Sequence, residues 1–182
     1  MILSDANIRQ YIEYGRLSIT PLDDAAIRPA SVDLKLGPVL KVADPNADGG
    51  WRIHDLREHG PFRLYAGAFV LASTLERITL GDPLRPETCN LAGILAGKSS
   101  RAREGIQVEA AGYVDPGWDG ELTFEITRFR PGEPSKLTLG MPIAQIRFEM
   151  LLAPAERPYG SDGSSHYQGS LGPVASRMAG VW

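Results

Sequence analysis

The sequence predicts an all-β sandwich or barrel formed by a single domain. Twenty glycines and fourteen prolines are spread along the 182 residues, and they divide the apolar runs into short pieces of strand length. Several of these runs alternate apolar and polar residues, which is the pattern of a sheet with one buried face. Hydrophobic residues make up 43% of the chain, enough for one sizeable core at this length.

The first element along the chain is predicted to be a short helix. Ser4 is a suitable N-cap, and Gly15 can end the helix. Between them apolar side chains recur at helical spacing, at Ile8, Tyr11 and Ile12. The segment has no basic region followed by an apolar run, so a signal peptide is not expected.

Strands are predicted over most of the remaining chain. Residues 32–36 alternate apolar and polar side chains, while residues 69–75 and 143–150 are rich in β-forming types. Residues 43–50 are predicted to form a loop. The Gly- and Ser-rich tail from Tyr159 onward is predicted to be disordered, or ordered only by a ligand or a partner.

The clearest predicted strand carries an acid. In residues 121–127 every second side chain is apolar, which describes a half-buried strand with one polar face. Glu125 lies on that polar face, and Asp115 stands before a Pro-Gly pair just upstream. From the residues alone, Glu125 is either a solvated surface acid or a carboxylate aimed into a site. Asp115 is either ordinary turn chemistry or part of the same site.

A basic segment, GKSSRAREG at residues 97–105, follows the apolar run 91–96. Its lysine, two arginines and two hydroxyls can all donate to anionic oxygens. The spacing differs from that of a P-loop. The residues alone leave two interpretations open, a solvated basic turn or a phosphate site.

Composition excludes several classes of function. A formal net charge of −3 and a pI near 5.6 argue against a general nucleic-acid-binding protein. A single cysteine, Cys89, rules out an internal disulfide and favours a reducing compartment. No apolar run approaches the roughly 18–20 residues that span a bilayer. We therefore expect a soluble cytoplasmic protein without membrane or nucleic-acid partners.

Zinc chemistry is not expected either. Zinc deaminases need a His or Cys ligand, a following Glu and a P-C-x-x-C motif. One cysteine and three histidines, His54, His59 and His166, do not supply that set. We therefore predict that no metal is bound by protein side chains.

Several stretches together resemble a known family. In chain order these stretches are GRLSITPLDD, IRPASVDLKLG, GKSSRAREG, AGYVDPGWDGELTFEI, LGMPIAQIRF and PYGSDGSSHYQGSLGP. In this order and spacing they are similar to the dCTP deaminases of the trimeric dUTPase superfamily, over nearly the whole chain. The resemblance implies a distorted β-barrel or jelly-roll of the dUTPase-like type over residues 1–160, with a short N-terminal helix. It also implies a homotrimer with sites between subunits, and a flexible tail or lid over residues 161–182.

The resemblance also assigns roles to residues. It implies that Glu125 shuttles protons in a metal-free deamination, with Arg103 and Ser99 flanking the attacking water. Asp115 would accept from the deoxyribose 3′-hydroxyl, and Trp118 would pack on the sugar. The triphosphate would carry Mg²⁺. The implied substrate-binding residues are Lys98, Ser99, Ser100, Arg101, Ala102, Arg103, Asp115, Trp118, Thr123, Phe124, Glu125, Gln145, Tyr159, His166 and Ser170.

The chain departs from the family pattern in the basic segment, where Arg101 and Glu104 replace usually apolar residues, and at two further places. The loop between Gly105 and Asp115 is one residue shorter than usual, and the usual His and Thr are replaced there. In the tail, His166 stands for a lysine and Ser170 for a glutamine. For the tail itself we expect a lid that triphosphate orders; the alternative is a strap packed on a neighbouring subunit. The strap would use Leu171, Val174 and Trp182.

Three functions follow from the resemblance. The first is dCTP deamination, which releases dUTP and ammonia. The second is nucleotide hydrolysis, either as a bifunctional enzyme that continues to dUMP and pyrophosphate or as a plain dUTPase. Gly112 followed by the aromatic Tyr113 favours the bifunctional form, while Glu125 disfavours the plain dUTPase. The third is an inactive regulatory trimer that binds nucleotides. The expected ligands are dCTP, dUTP and dTTP, the last as an inhibitor.

Overall fold

The fold was determined as a computed structural model, which describes residues 1–109, 112–163 and 165–177, with only the backbone of Glu109. Short helices and many strands make up these segments. The helices are α1 (Asp5–Glu13), α2 (Leu56–His59) and α3 (Ser99–Arg103). The strands are β1 (Leu17–Thr20), β2 (Ile27–Arg28), β3 (Ser31–Ala43), β4 (Trp51–Asp55), β5 (Phe62–Leu64), β6 (Phe69–Leu80), β7 (Leu91–Gly97), β8 (Ile106–Glu109), β9 (Tyr113–Val114), β10 (Asp119–Arg128), β11 (Ser135–Leu137) and β12 (Pro142–Met150).

One ten-stranded antiparallel sheet dominates the fold. Its main path runs β8-β10-β6-β3-β12-β7-β9, with β1 added to β6 and both β2 and β4 added to β3. Strands β5 and β11 form a separate two-stranded sheet. Because the described residues show no pairing between the terminal strands β8 and β9, the sheet is a curled half-barrel. The prediction of a mainly β fold is therefore confirmed.

The predicted elements are found, most of them longer than predicted. Helix α1 begins after Ser4, whose side chain accepts from the backbone of Asn7 in a capping box. The predicted strand 32–36 is the first part of the long β3, and the run 69–75 is the first part of β6. The basic segment, interpreted as a basic turn or a phosphate site, forms the short helix α3 over Ser99–Arg103.

The core lies on the apolar face of β10 and its neighbours. Burial alternates strictly along β10, and Phe124 and Ile126 are fully buried. The polar face of the same strand carries the acids. In strand β6, residues 74–76 stand opposite the single residue Leu122, so the pairing register shifts there.

A buried arginine of β10 is connected through hydrogen bonds to the residue that follows α3. Arg128 is 5% exposed, and its guanidinium donates to the carbonyls of Arg130 and Glu133 and to the hydroxyl of Ser135. The Ser135 hydroxyl in turn donates to the carbonyl of Glu104, directly after α3. The C-terminal end of α3 is therefore held from inside the barrel.

No helix among the described residues is both long and apolar enough to cross a bilayer.

Candidate active site

A cavity of about 550 Å³ opens against the polar face of β10. It is bounded by the sheet on one side and by the tail of the same chain on the other. Six of the residues predicted to bind substrate line this cavity: Asp115, Trp118, Thr123, Glu125, Tyr159 and Ser170.

The predicted acid Glu125 occupies the middle of the polar face. It is half-buried, and in the sheet register it lies between Leu71 on β6 and Glu109 on β8. Thr123, two residues earlier, faces the same cavity because side chains on a strand alternate between faces. A half-buried carboxylate at a cavity wall can exchange protons with a bound molecule.

The Asp115-Pro116-Gly117-Trp118 turn forms a second wall. Trp118 N–H donates to the Asp115 carbonyl (3.1 Å), and Gly117 adopts a φ of 91°, as a turn with glycine in its third position requires. A Cβ on Gly117 would lie 2.6 Å from the Tyr159 carbonyl oxygen. Glycine at this position therefore allows Tyr159 to approach the turn.

The turn sets the environment of its acid and its aromatic side chain. Partial desolvation raises the pKa of the Asp115 carboxyl, although the side chain still reaches solvent. The buried Trp118 ring packs against Tyr159, with ring centroids 5.6 Å apart. The wall thus presents a carboxylate acceptor beside a flat apolar surface, a combination that suits a sugar.

The tail closes the cavity from the same chain. Tyr167 N–H donates to the Tyr159 hydroxyl (2.8 Å), and Ser170, 6% exposed, donates from its hydroxyl to the Tyr167 carbonyl. The Gln168 side chain donates to the Gly117 carbonyl (2.9 Å) and accepts from Asp119 N–H. The predicted ordering of the tail by triphosphate stays a prediction, and so does a strap on a neighbouring subunit, because Trp182 lies outside the described residues.

The basic segment forms a separate region around α3. Lys98, at the N-cap, donates to the buried carboxylate of Asp33 (2.5 Å), which also accepts from Arg28 (2.9 Å). Gln145 lies opposite Asp33 in the sheet register. Asp33, missed from the sequence, therefore positions the start of α3.

The side chains of α3 itself mostly face solvent. Arg101 pairs with Glu104 (2.9 Å) and donates to the Pro142 carbonyl. The exposed members of the predicted phosphate site are Ser99, Ser100, Ala102 and Arg103. None of the α3 residues lines the cavity that holds Glu125.

Two further predicted residues lie elsewhere. The Phe124 side chain is fully buried in the core, on the face of β10 opposite the acids, so a contact with substrate could involve only its backbone. His166 is exposed beside Tyr167 and does not line the cavity.

Several cavity residues escaped the sequence prediction. They include Trp51, Phe69, Leu71 and Glu121. The alternation along β10 could have identified Glu121, which shares a face with Thr123 and Glu125. Trp51 could not have been found this way, because only the pairing of β4 with β3 brings it near Phe69.

The sequence was compared with models of known protein families. A family described as dCTP deaminase-like matches residues 2–151. The chain belongs to the dCTP deaminase-like family. The match covers every strand of the sheet and the whole polar face of β10.

Individual members of the dCTP deaminase-like family are similar over nearly their full length. A "dCTP deaminase, dUMP-forming" of Mycolicibacterium vanbaalenii is 41% identical over 189 residues, covering 97% of this chain and 95% of that protein. A "dCTP deaminase" of Haloarcula marismortui is 40% identical over 197 residues, covering 99% of this chain and 96% of that protein.

A crystal structure shares the fold. That of the 2′-deoxycytidine 5′-triphosphate deaminase from Agrobacterium tumefaciens aligns with a TM-score of 0.63 at 24% identity. The alignment covers 82% of this chain and 47% of the other, so this chain spans about half of that protein. At this identity the likeness concerns the fold alone.

Proposed function

We propose that the protein is a dCTP deaminase, an enzyme that hydrolyses dCTP to dUTP and ammonia. The observation that carries this is the half-buried Glu125 at the centre of the polar face of β10, inside a cavity that Asp115 and Trp118 also line. The family and its members with the same activity in their names support it.

In the proposed reaction Glu125 moves protons in turn. Its carboxylate takes a proton from a water molecule as the water oxygen bonds to C4 of cytosine, and Glu125 passes this proton to N3. Glu125 then takes the proton of the new C4 hydroxyl and gives it to the amino group, so that the C4–N bond breaks, ammonia leaves and the C4 carbonyl forms. One carboxylate within hydrogen-bond reach of both water and base is sufficient for these transfers.

The rest of the proposed site supplies binding. Asp115 would accept the 3′-hydroxyl, and Trp118 with Tyr159 would pack on the sugar. The α3 residues Ser99 and Arg103 would bind phosphate oxygens and flank the water. Since these residues do not line the cavity of their own chain, we propose that a neighbouring subunit supplies them, in a homotrimer.

Magnesium fits this proposal as a substrate-borne ion. Among the described residues, no group of three or more His, Cys, Asp or Glu side chains is placed to hold a metal. Mg²⁺ would therefore be held by the triphosphate oxygens, whose charge it would partly neutralise.

A second activity is favoured by one observation at the cavity. Gly112 and Tyr113 both line it, next to Asp115. The family resemblance connects a glycine followed by an aromatic residue here with hydrolysis of the dUTP formed. The name of the Mycolicibacterium vanbaalenii relative, dUMP-forming, points the same way. In this form Asp115 would also position the water that attacks phosphorus.

One incubation tests both activities. The protein is mixed with dCTP and Mg²⁺, and ammonia, dUTP, dUMP and pyrophosphate are resolved over time. Ammonia with dUTP supports deamination alone, whereas ammonia with dUMP and pyrophosphate supports the two-step reaction. Absence of ammonia under all conditions would contradict the proposal, and hydrolysis of added dUTP without deamination would indicate a plain dUTPase.

A further inference from the structure

Glu121 is an acid at the cavity wall that the proposed reaction does not use. We propose that Glu121 is a positioning residue that seats the tail over the cavity, by binding residues 170–172 to the start of β10. We call the contact between Glu121 and residues 170–172 the seat of the tail, and we infer it from contacts within this chain. The consequence of the seat for nucleotide binding rests on the proposed function.

The carboxylate of Glu121 joins the sheet to the tail. Its Oε2 accepts from the hydroxyl of Ser73 on β6 (2.8 Å) and from the backbone N–H of Gly172 (2.8 Å). Ser73 is fully buried, so this hydroxyl is fixed and holds the carboxylate in one orientation. A single oxygen therefore connects the core of the barrel to the segment that covers the cavity.

The tail follows the polar face of β10 residue by residue. Glu121 N–H donates to the Ser170 carbonyl (2.9 Å), and Val174 N–H donates to the Thr123 hydroxyl (3.2 Å). Ser170 and Val174 both line the cavity. After its contacts with the turn and Asp119, the tail therefore runs along the strand from Glu121 toward the part of the cavity that Glu125 lines.

Gly120 leaves the space for this approach. A Cβ there would lie 3.0 Å from the nitrogen of Ser170 and 3.1 Å from its carbonyl oxygen. Among the attachments at Glu121 and Thr123, the bond from Gly172 has the only charged acceptor. Hydrogen bonds to charged groups contribute more than neutral ones, so this bond should be the strongest of the three.

The experiment compares three substitutions of Glu121 in the full chain. Glu121→Ala removes the acceptor, Glu121→Asp keeps the charge but shortens the reach, and Glu121→Gln keeps an oxygen that can accept from Gly172 and Ser73. Glu13→Ala, on the exposed face of α1, is the matched control. Hydrogen exchange of residues 165–177, the Kd for dCTP and the values of kcat and KM are measured for each.

The seat predicts that Glu121→Ala and Glu121→Asp accelerate exchange at the Gly172 and Val174 amides and raise the Kd and KM for dCTP by roughly tenfold. Glu121→Gln should stay within about threefold of the parent protein, and Glu13→Ala should match it. Should Glu121→Ala not fold, Glu121→Asp alone decides.

Two results would overturn the inference. One is unchanged exchange in residues 165–177 when the acceptor is removed or shortened. The other is an equal loss in Glu121→Gln and Glu121→Ala, which would show that an accepting oxygen at this position does not hold the tail. If the parent protein released no ammonia from dCTP, the proposed function would fail, but the exchange measurement would still test the seat.

Discussion

The cavity and the α3 segment are built in opposite ways. The cavity is formed within one chain, because β10, the turn at Asp115 and the tail hydrogen-bond to one another around it. The α3 segment is held at its start by an ion pair with a buried carboxylate, whereas most of its hydrogen-bond donors are exposed. Lys98 is paired with the buried Asp33, while Ser99 and Arg103 face solvent.

This difference indicates which groups of the proposed site would come from the cavity and which from α3. A cavity with carboxylates and aromatic rings suits a base and a sugar, whereas exposed cationic and hydroxyl groups suit phosphates. Neither region alone has both sets of groups. The two halves would complement each other when the α3 segment of one chain meets the cavity of another. The predictions below test the cavity, its wall and this division between chains.

The largest effect is expected at Glu125. Glu125→Gln keeps the shape of the side chain but cannot shuttle a proton, so ammonia release should fall by about 10²–10⁴-fold. Nucleotide binding should change little. The check is the single-turnover rate together with the Kd for dCTP. Ammonia release at the parent rate would remove Glu125 from the mechanism.

Mixing two inactive variants tests the division itself. Arg103→Ala removes a cation of α3, and Glu125→Gln removes the acid of the cavity. If each site takes one half from each of two chains, unfolding and refolding the variants together at equal amounts should restore about a quarter of the sites. Activity is measured before and after mixing. If both halves came from the same chain, mixing would restore no activity.

Gly117 in the cavity wall should stabilise the fold for two reasons, because it adopts a positive φ and because it has no Cβ to meet Tyr159. Gly117→Ala would bring a Cβ within 2.6 Å of the Tyr159 carbonyl oxygen at a φ of 91°. We expect the free energy of unfolding to fall by about 1–3 kcal/mol, with a loss of turnover. The control is Gly140→Ala, which has a φ of 74° but no atom within 4 Å of the added Cβ. Equal losses in urea unfolding would show that the space beside Tyr159 is unimportant.

The smallest effect concerns the titration of Asp115. Because desolvation raises its pKa in the folded protein, the folded state binds this proton more tightly than the unfolded state does. Stability should therefore decrease slightly as pH rises from the ordinary pKa of an aspartate through the raised one. Asp115→Asn should remove that decrease, and urea midpoints across this pH range provide the measurement. An identical pH dependence in both proteins would contradict the assignment.

The sequence was most informative where local patterns decide the structure. The capping of α1, the alternation along β10 and the turn at Asp115 each depend on neighbouring residues, and each is found in the structure. The same alternation placed Glu125 on the polar face. Its position inside a cavity required the pairing of β10 with β6 and β8, which alternation does not specify.

Contacts between distant residues could not be predicted from such patterns. The ion pair of Lys98 with Asp33 joins the N-cap of α3 to strand β3, and no local pattern in the sequence indicates this contact. The seat of the tail on Glu121 likewise depends on where the chain returns after β12. The composition of the tail shows only that it is rich in Gly and Ser. Several of its contacts are made by backbone groups, which every residue carries, so composition could not predict them.

The register shift in β6 makes the length of one short stretch as important as its composition. Residues 74–76 stand opposite Leu122 alone, so Ser73 and Leu71 face the same side as Thr123 and Glu125. If one of these three residues were deleted, every side chain in the preceding part of β6 would move to the opposite face of the sheet. Side chains that now lie in the core would then line the cavity. An insertion or deletion of two residues would keep the alternation. Related chains should therefore differ in length here by even numbers of residues.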